Sequence, residues 1–176
     1  MFRTVVAAAL VIGAAWLLAD DNPATQPSQR IAHAEQSQEA QARAKLLHEL
    51  THGALQVMHR DFFDDENSHS IPSASLDDVF REMEKDFDVQ MKWLTVNTDI
   101  VNADHQAATD FEKRAVQQLN AGHPFVEEVA ATRYHFAGAI RLGSQCLKCH
   151  VARRTSNVER LAALVISMPL VAPATE

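Results

Sequence analysis

Apolar residues recur every three or four positions in the first half of the chain, a spacing that predicts amphipathic helices. One long helix is predicted over residues 35–63, and a second over residues 76–87. The predicted inward face of the first helix consists of Leu47, Leu50, Thr51, Ala54, Val57, Met58 and Phe62. Turn-forming residues at 64–75 predict a loop, at whose end Ser75 would cap the second helix ahead of an acidic first turn.

The second half of the chain changes to a period of two, which is typical of strands. Residues 89–96 alternate and predict a strand, and residues 125–142 predict two strands or one hairpin. Between them, a Thr-x-x-Glu capping box at residues 109–112 opens a helix. A last apolar run, residues 159–170, predicts a closing strand. Together the elements predict an α+β domain, in which helices pack on a small antiparallel sheet.

The amino-terminal residues show a different pattern. One basic residue, Arg3, precedes an apolar run at residues 5–19, which is shorter than the roughly 20 residues of a typical membrane span. We therefore expect residues 1–19 to be an export signal or an uncleaved anchor, and residues 20–34 to be a linker. In either case we expect the domain at residues 35–172 to lie in the periplasm.

Composition limits the classes of partner and activity. The chain has 176 residues, about one domain, with 47% apolar and 22% charged residues, as is usual for a globular protein. Its net charge is -7, and acidic and basic residues are mixed along the chain. Both features argue against nucleic acid as a partner. Membrane contact is expected only if the amino-terminal segment stays uncleaved. No hydrolytic triad, phosphate loop or carboxylate pair is evident, so we expect no enzymatic activity.

The only two cysteines lie in the segment Cys146-Leu-Lys-Cys149-His150. A disulfide between them would close a very small loop and remove little entropy from the unfolded chain. A thioredoxin-like redox pair and a zinc site remain alternatives, although zinc would need a fourth ligand. The third interpretation uses all three residues: two thioether bonds to haem, with His150 as the proximal iron ligand. The motif therefore predicts one covalently bound haem c per chain.

Several features appear together in a distinctive order. Asn102 precedes a Phe-Glu helix start at Phe111, a strand led by Tyr134 runs into Cys-Leu-Lys-Cys-His, and the last strand ends in Pro169-Leu170. Over roughly residues 40–170 the chain resembles the periplasmic c-type haem domain family with a PAS-like fold, the Tll-like haem-binding domain. That family occurs as free-standing proteins and as the sensing part of bacterial histidine kinases and chemoreceptors. The resemblance implies a PAS-like sheet with a long amino-terminal helix.

The resemblance also implies where a second iron ligand would lie. Some family members carry a ligand cysteine in a segment of the long helix that matches Ala-Leu-Gln-Val-Met here, which places Met58 at the ligand position. A thioether ligand raises the reduction potential relative to two histidines. His59 is the alternative and would give bis-histidine ligation, with His52 and His48 as further alternatives. Met58 could also be core filler, and the sixth position could be open to a gas.

Two functions are compatible with these features. The first is a haem-based sensor or binding module that responds to redox state or to a small ligand, with a redox protein or a gaseous ligand as partner. The second is a periplasmic single-haem electron carrier. Arg141 is a candidate contact for a haem propionate. Val151 stands where family members commonly have glycine after the haem histidine, so we expect the adjacent loop to be reshaped.

Overall fold

The computed structural model describes residues 32–62, 71–151, 153, 155, 156 and 158–171. The predicted export signal lies outside these residues. The described elements are α1 (Ser37–Asp61), α2 (Pro72–Phe87), β1 (Gln90–Thr95), a 3-10 turn (Ala103–His105), α3 (Asp110–Asn120), β2 (Phe125–Ala130), β3 (Arg133–Arg141), α4 (Ser144–His150) and β4 (Leu161–Pro169). The predicted α+β class is confirmed. No helix within the described ranges is long and apolar enough to cross a membrane.

The four strands form one antiparallel sheet in the order β1-β4-β3-β2. The central strands β3 and β4 pair along their full length, from Arg133 opposite Pro169 to Arg141 opposite Leu161. The end of β3, the start of β4 and the start of β2 therefore lie at one end of the sheet. Because α4 connects β3 to β4, the cysteine motif lies at this end as well.

Helices cover both faces of the sheet, because side chains of successive strand residues point to opposite faces. On one face, Phe136 and Ile140 of β3 pack in a core with α1 and α2. On the other face, Ala137 packs in a second core with Phe111 and Leu119 of α3. Trp93 and Tyr134 are buried in the first core, as their positions on predicted strands indicated.

Helix α1 is confirmed, but its predicted inward face is only partly right. The buried residues are Ala40, Ala44, His48 and Thr51. Three residues predicted to face inward are instead exposed: Leu50 at 67%, Val57 at 40% and Phe62 at 81%. The two alanines are fully buried, and their small side chains let the helix approach β3 closely. This row of small residues, rather than the row of large apolar ones, decides which face turns inward.

Helix α2 begins four residues earlier than predicted. It starts at Pro72, with Ile71 as the residue before the first turn, and its first turn contains no acidic residue. Ser75 is therefore not its cap: its Oγ lies 3.5 Å from the carbonyl oxygen of Ile71 within that turn. Proline is favourable in the first turn of a helix, because its missing N–H would have no partner there.

Helix α3 begins with the predicted capping box. The backbone N–H of Glu112 donates to Thr109 Oγ1 at 3.1 Å, and the Glu112 carboxylate accepts from the N–H groups of Ala108 and Thr109 at 2.6 and 3.3 Å. Lys92 of β1 adds an ion pair at 3.0 Å. Burial alone would raise the pKa of Glu112, but the hydrogen bonds from Ala108 and Lys92 outweigh burial and lower it.

Replacing Glu112 with Gln is expected to lower the free energy of unfolding at neutral pH by about 1–3 kcal/mol, because a buried charge-assisted network loses its acceptor charge. The pKa of Glu112 is lower in the folded state, so its contribution is present above the unfolded pKa and is lost as pH falls through the folded pKa. The gap between wild type and variant should therefore shrink in acid. Urea unfolding at several pH values measures this gap.

The matched control for this prediction is Glu82→Gln, which removes one partner of the exposed Glu82–Lys85 pair. Exposed pairs contribute little to stability, so this variant should unfold like the wild type. An equal loss in both variants, or a gap for Glu112→Gln that stays constant into acid, would contradict the account.

Candidate haem site

The cysteine motif lies on the short helix α4. Its first turn is held by the carbonyl oxygen of Gly143, which accepts from the N–H groups of Cys146 at 3.0 Å and Leu147 at 3.2 Å. Residues three and four apart share one face of a helix. Cys146, Cys149 and His150 are spaced in this way, so α4 places the three predicted haem-binding residues on one face.

The two thiols are free and differ in their surroundings. Cys146 is half-buried and Cys149 is exposed. Burial raises the pKa of the Cys146 thiol, and the neighbouring Cys149 adds to this rise. Redox-active Cys-x-x-Cys pairs instead have a lowered pKa. In addition, the strands on either side of α4 pair antiparallel, unlike the βαβ unit of thioredoxin-like proteins. Both observations argue against a thioredoxin-like site.

His150 ends α4 and lies against the segment that follows β1. Its carbonyl oxygen accepts a hydrogen bond from the N–H of Asp99 at 2.9 Å. Burial lowers the pKa of the half-buried imidazole, the nearby His105 and His59 lower it further, and Asp99 raises it. His150 therefore favours the neutral form, which is the form that ligates iron. His59 of α1 and His105 of the 3-10 turn are therefore near enough to His150 to act on its charge.

His59 and Met58 both lie half-buried in the last turns of α1. The Nδ1 atom of His59 is 2.9 Å from the carbonyl oxygen of Leu55. A carbonyl oxygen only accepts, so Nδ1 carries the proton and the lone pair of the neutral ring is on Nε2. Metal-binding histidines commonly have this second hydrogen bond, which fixes tautomer and orientation. His59 therefore has the tautomer of a metal ligand, and it is near enough to His150 to lower the pKa of that imidazole.

The remaining candidates from the sequence lie in other surroundings. Arg141, predicted to contact a propionate, is exposed and pairs with Glu159 at 3.2 Å. His48 and His52 lie earlier on α1 and line a cavity beside β2 and β3 that no residue of α4 lines. His105 is half-buried and is near enough to His150 to lower its pKa. Nothing in its local sequence marks that position, because 45 residues separate the two histidines.

Comparison with known proteins decides the family. A family model described as Tll0287-like matches residues 29–163, about three quarters of the chain. The chain belongs to the Tll0287-like family. This match confirms the resemblance inferred from the sequence motifs.

A solved structure supports the same fold for this Tll0287-like chain. The crystal structure of the cyanobacterial heme-protein Tll0287 superposes with a TM-score of 0.58 and 14% sequence identity, covering 78% of this chain and 98% of that chain. At this level of identity the likeness shows the fold. Comparison with curated protein sequences gives no significant match.

The residues of this Tll0287-like chain fit a c-type haem. Thioether attachment needs two free thiols separated by two residues, which Cys146 and Cys149 provide. Iron ligation needs an unprotonated imidazole, and burial favours that form in His150. A second imidazole with a fixed tautomer, His59, is available from α1.

Proposed function

We propose that this Tll0287-like chain is exported to the periplasm and binds one haem c, attached through Cys146 and Cys149 with His150 on the iron. The observation that carries the proposal is the position of the three residues on one face of α4, with two further histidines near enough to lower the pKa of His150. The superposed cyanobacterial protein is described as a heme protein, which supports the same cofactor here.

We further propose that His59, rather than Met58, provides the second axial ligand. His59 is close enough to His150 to lower its pKa, and its Nδ1 hydrogen bond to Leu55 leaves the lone pair on Nε2. Bound haem would supply an iron that changes oxidation state and ligation. The chain would hold that iron between its first helix and its last helix.

This arrangement favours a responsive haem module over a simple carrier. Helix α1 packs on β3, and the chain just before α1 joins the end of β4 through the bridge between Ala34 and Leu170. A bond from His59 to iron would add a second attachment near the other end of α1. Loss of that bond would weaken the attachment of the carboxyl-terminal end of α1. Helix α1 would then shift from one arrangement to a second one.

Carbon monoxide is expected to bind to the reduced holoprotein by displacing His59 from the iron. The absorption spectrum without carbon monoxide should be that of low-spin iron, and the oxidised form should lack a methionine–iron charge-transfer band. Hydrogen exchange should show faster exchange at the end of α1 when carbon monoxide is bound, while β3 stays protected. Spectra that do not respond to carbon monoxide would instead support the electron carrier.

A further inference from the structure

A cavity of about 600 Å³ lies between α1, the start of β2 and the facing ends of β3 and β4. Among the residues that the structure describes, none from α4 or from the last turn of α1 lines it. Its lining is therefore distinct from the haem site. Its volume falls within the range of about 300–1,000 Å³ that holds small organic ligands, so the chemistry of its walls indicates which ligand it fits.

One wall of the cavity is apolar. Phe125 of β2 and Phe136 of β3 stack there, with ring centroids 5.6 Å apart and an angle of 20° between the ring planes. Leu161 of β4 and Leu119 of α3 extend this wall. Phe125 is only half-buried, so part of its surface is free for a ligand to cover. Aromatic rings favour stacked and edge-to-face neighbours, and the wall therefore favours a ligand with an aromatic body.

Lys45 of α1 provides a positive charge beside this wall. Its ammonium nitrogen lies 4.3 Å from the centroid of the Phe125 ring. Within the described ranges Lys45 forms no ion pair with a carboxylate. Its side chain is half-buried, and ion pairs formed away from bulk water are screened less than exposed ones. An anionic group bound beside Phe125 would therefore find a cation in place.

The other charged side chains at the cavity have partners within the protein. Arg141 and Glu159 form an ion pair at 3.2 Å. Oε1 of Glu49 lies 3.3 Å from Nδ1 of His48. Of the charged residues that line the cavity, Lys45 is therefore the one without a partner of opposite charge in the described part of the chain.

We propose that this cavity binds a small organic carboxylate with an aromatic body. The carboxylate pairs with the ammonium group of Lys45, and the ring packs against Phe125 and Leu161. A charge-assisted hydrogen bond is stronger than a neutral one, and an apolar surrounding strengthens it further. Burial of the ring against the apolar wall adds to the affinity. Binding of this ligand does not require the haem, so the site goes beyond the proposed haem function.

The test is calorimetric titration of the haem-loaded protein with indole-3-acetate and, separately, with indole-3-acetamide at neutral pH. The two probes share one ring system and differ in charge, so the ratio of their affinities measures the contribution of the carboxylate. One molecule of the acid should bind per chain. Its affinity should exceed that of the amide about tenfold, which is the effect expected of a hydrogen bond to a charged group.

Lys45→Met removes the charge and keeps an unbranched apolar side chain. This variant should bind the acid only as tightly as the amide, while its affinity for the amide stays that of the wild type and shows that the cavity is intact. The matched control is Lys113→Met, because Lys113 is exposed, pairs with Asp110 and does not line the cavity. The control should prefer the acid as the wild type does.

Four results would overturn this site. The first is a wild-type protein that binds neither probe, and the second is one that binds acid and amide equally. The third is a Lys45→Met variant that keeps its preference for the acid or loses both probes to the same extent. The fourth is a changed Soret band in Lys45→Met without added probe, which would assign Lys45 to a haem propionate and leave haem attachment intact.

Discussion

Replacing His59 with alanine is expected to convert a six-coordinate, low-spin iron into a high-spin iron that binds carbon monoxide rapidly. In our account the iron lies between His150 and His59, so the variant loses one of two strong-field ligands. His59 is near enough to His150 to lower the pKa of that imidazole, and its Nδ1 donates to the carbonyl oxygen of Leu55. Absorption and electron paramagnetic resonance spectra of the oxidised holoprotein measure the spin state directly.

Met58→Ala is the matched control, because it changes the adjacent residue of the same helix turn. Successive helix residues differ in direction by about 100°, so both side chains cannot be aimed at one point equally well. We expect the Met58 variant to keep the low-spin spectrum and potential of the wild type. If the Met58 variant becomes high-spin instead, the ligand predicted from the sequence is correct and His59 is only a neighbour.

Replacing both Cys146 and Cys149 with serine is expected to abolish covalent attachment while leaving His150 able to ligate iron. Serine forms no thioether, so haem in the double variant should be extracted fully by acid acetone and should leave the chain on a denaturing gel. Each single variant should keep one bond and shift the reduced spectrum toward that of a haem with one vinyl group. Full retention of haem by the double variant would contradict the assignment.

Ser144→Ala provides the control for the cysteine variants. Ser144 is the first residue of α4 and donates no group to the proposed haem. This variant should therefore retain covalent haem like the wild type. Loss of haem in this control would show that disturbance of α4 alone, rather than loss of the thiols, explains the result.

The sequence predicted those parts of the fold whose signals are local. The capping box at Thr109 specifies its helix start from four residues, alternation predicts β1, and a continuous apolar run predicts β4. The inward face of α1 was harder to predict from the sequence, because apolar residues occur on both sides of that helix. Which side is buried depends on the fit of Ala40 and Ala44 against β3, a contact between segments almost 100 residues apart.

The candidate site also contains some residues that a local pattern predicts and others whose positions depend on the fold. Cys146, Cys149 and His150 are adjacent in the sequence, so their spacing predicts haem attachment without a fold. His59 and His105 come near enough to lower the pKa of His150 only in the folded chain, and no local pattern specifies this. The burial of His48 is another example, since only the fold brings its ring against Gly138 of β3.

The central claim is covalent haem, and intact mass spectrometry tests it most directly. The full chain should be produced in a bacterium that expresses a cytochrome c maturation system, and its mass measured after denaturation. We predict a chain heavier by one haem, with the addition retained after acid-acetone extraction and located in the peptide that contains Cys146 and Cys149. An unmodified mass under conditions that mature a control cytochrome c would contradict the account.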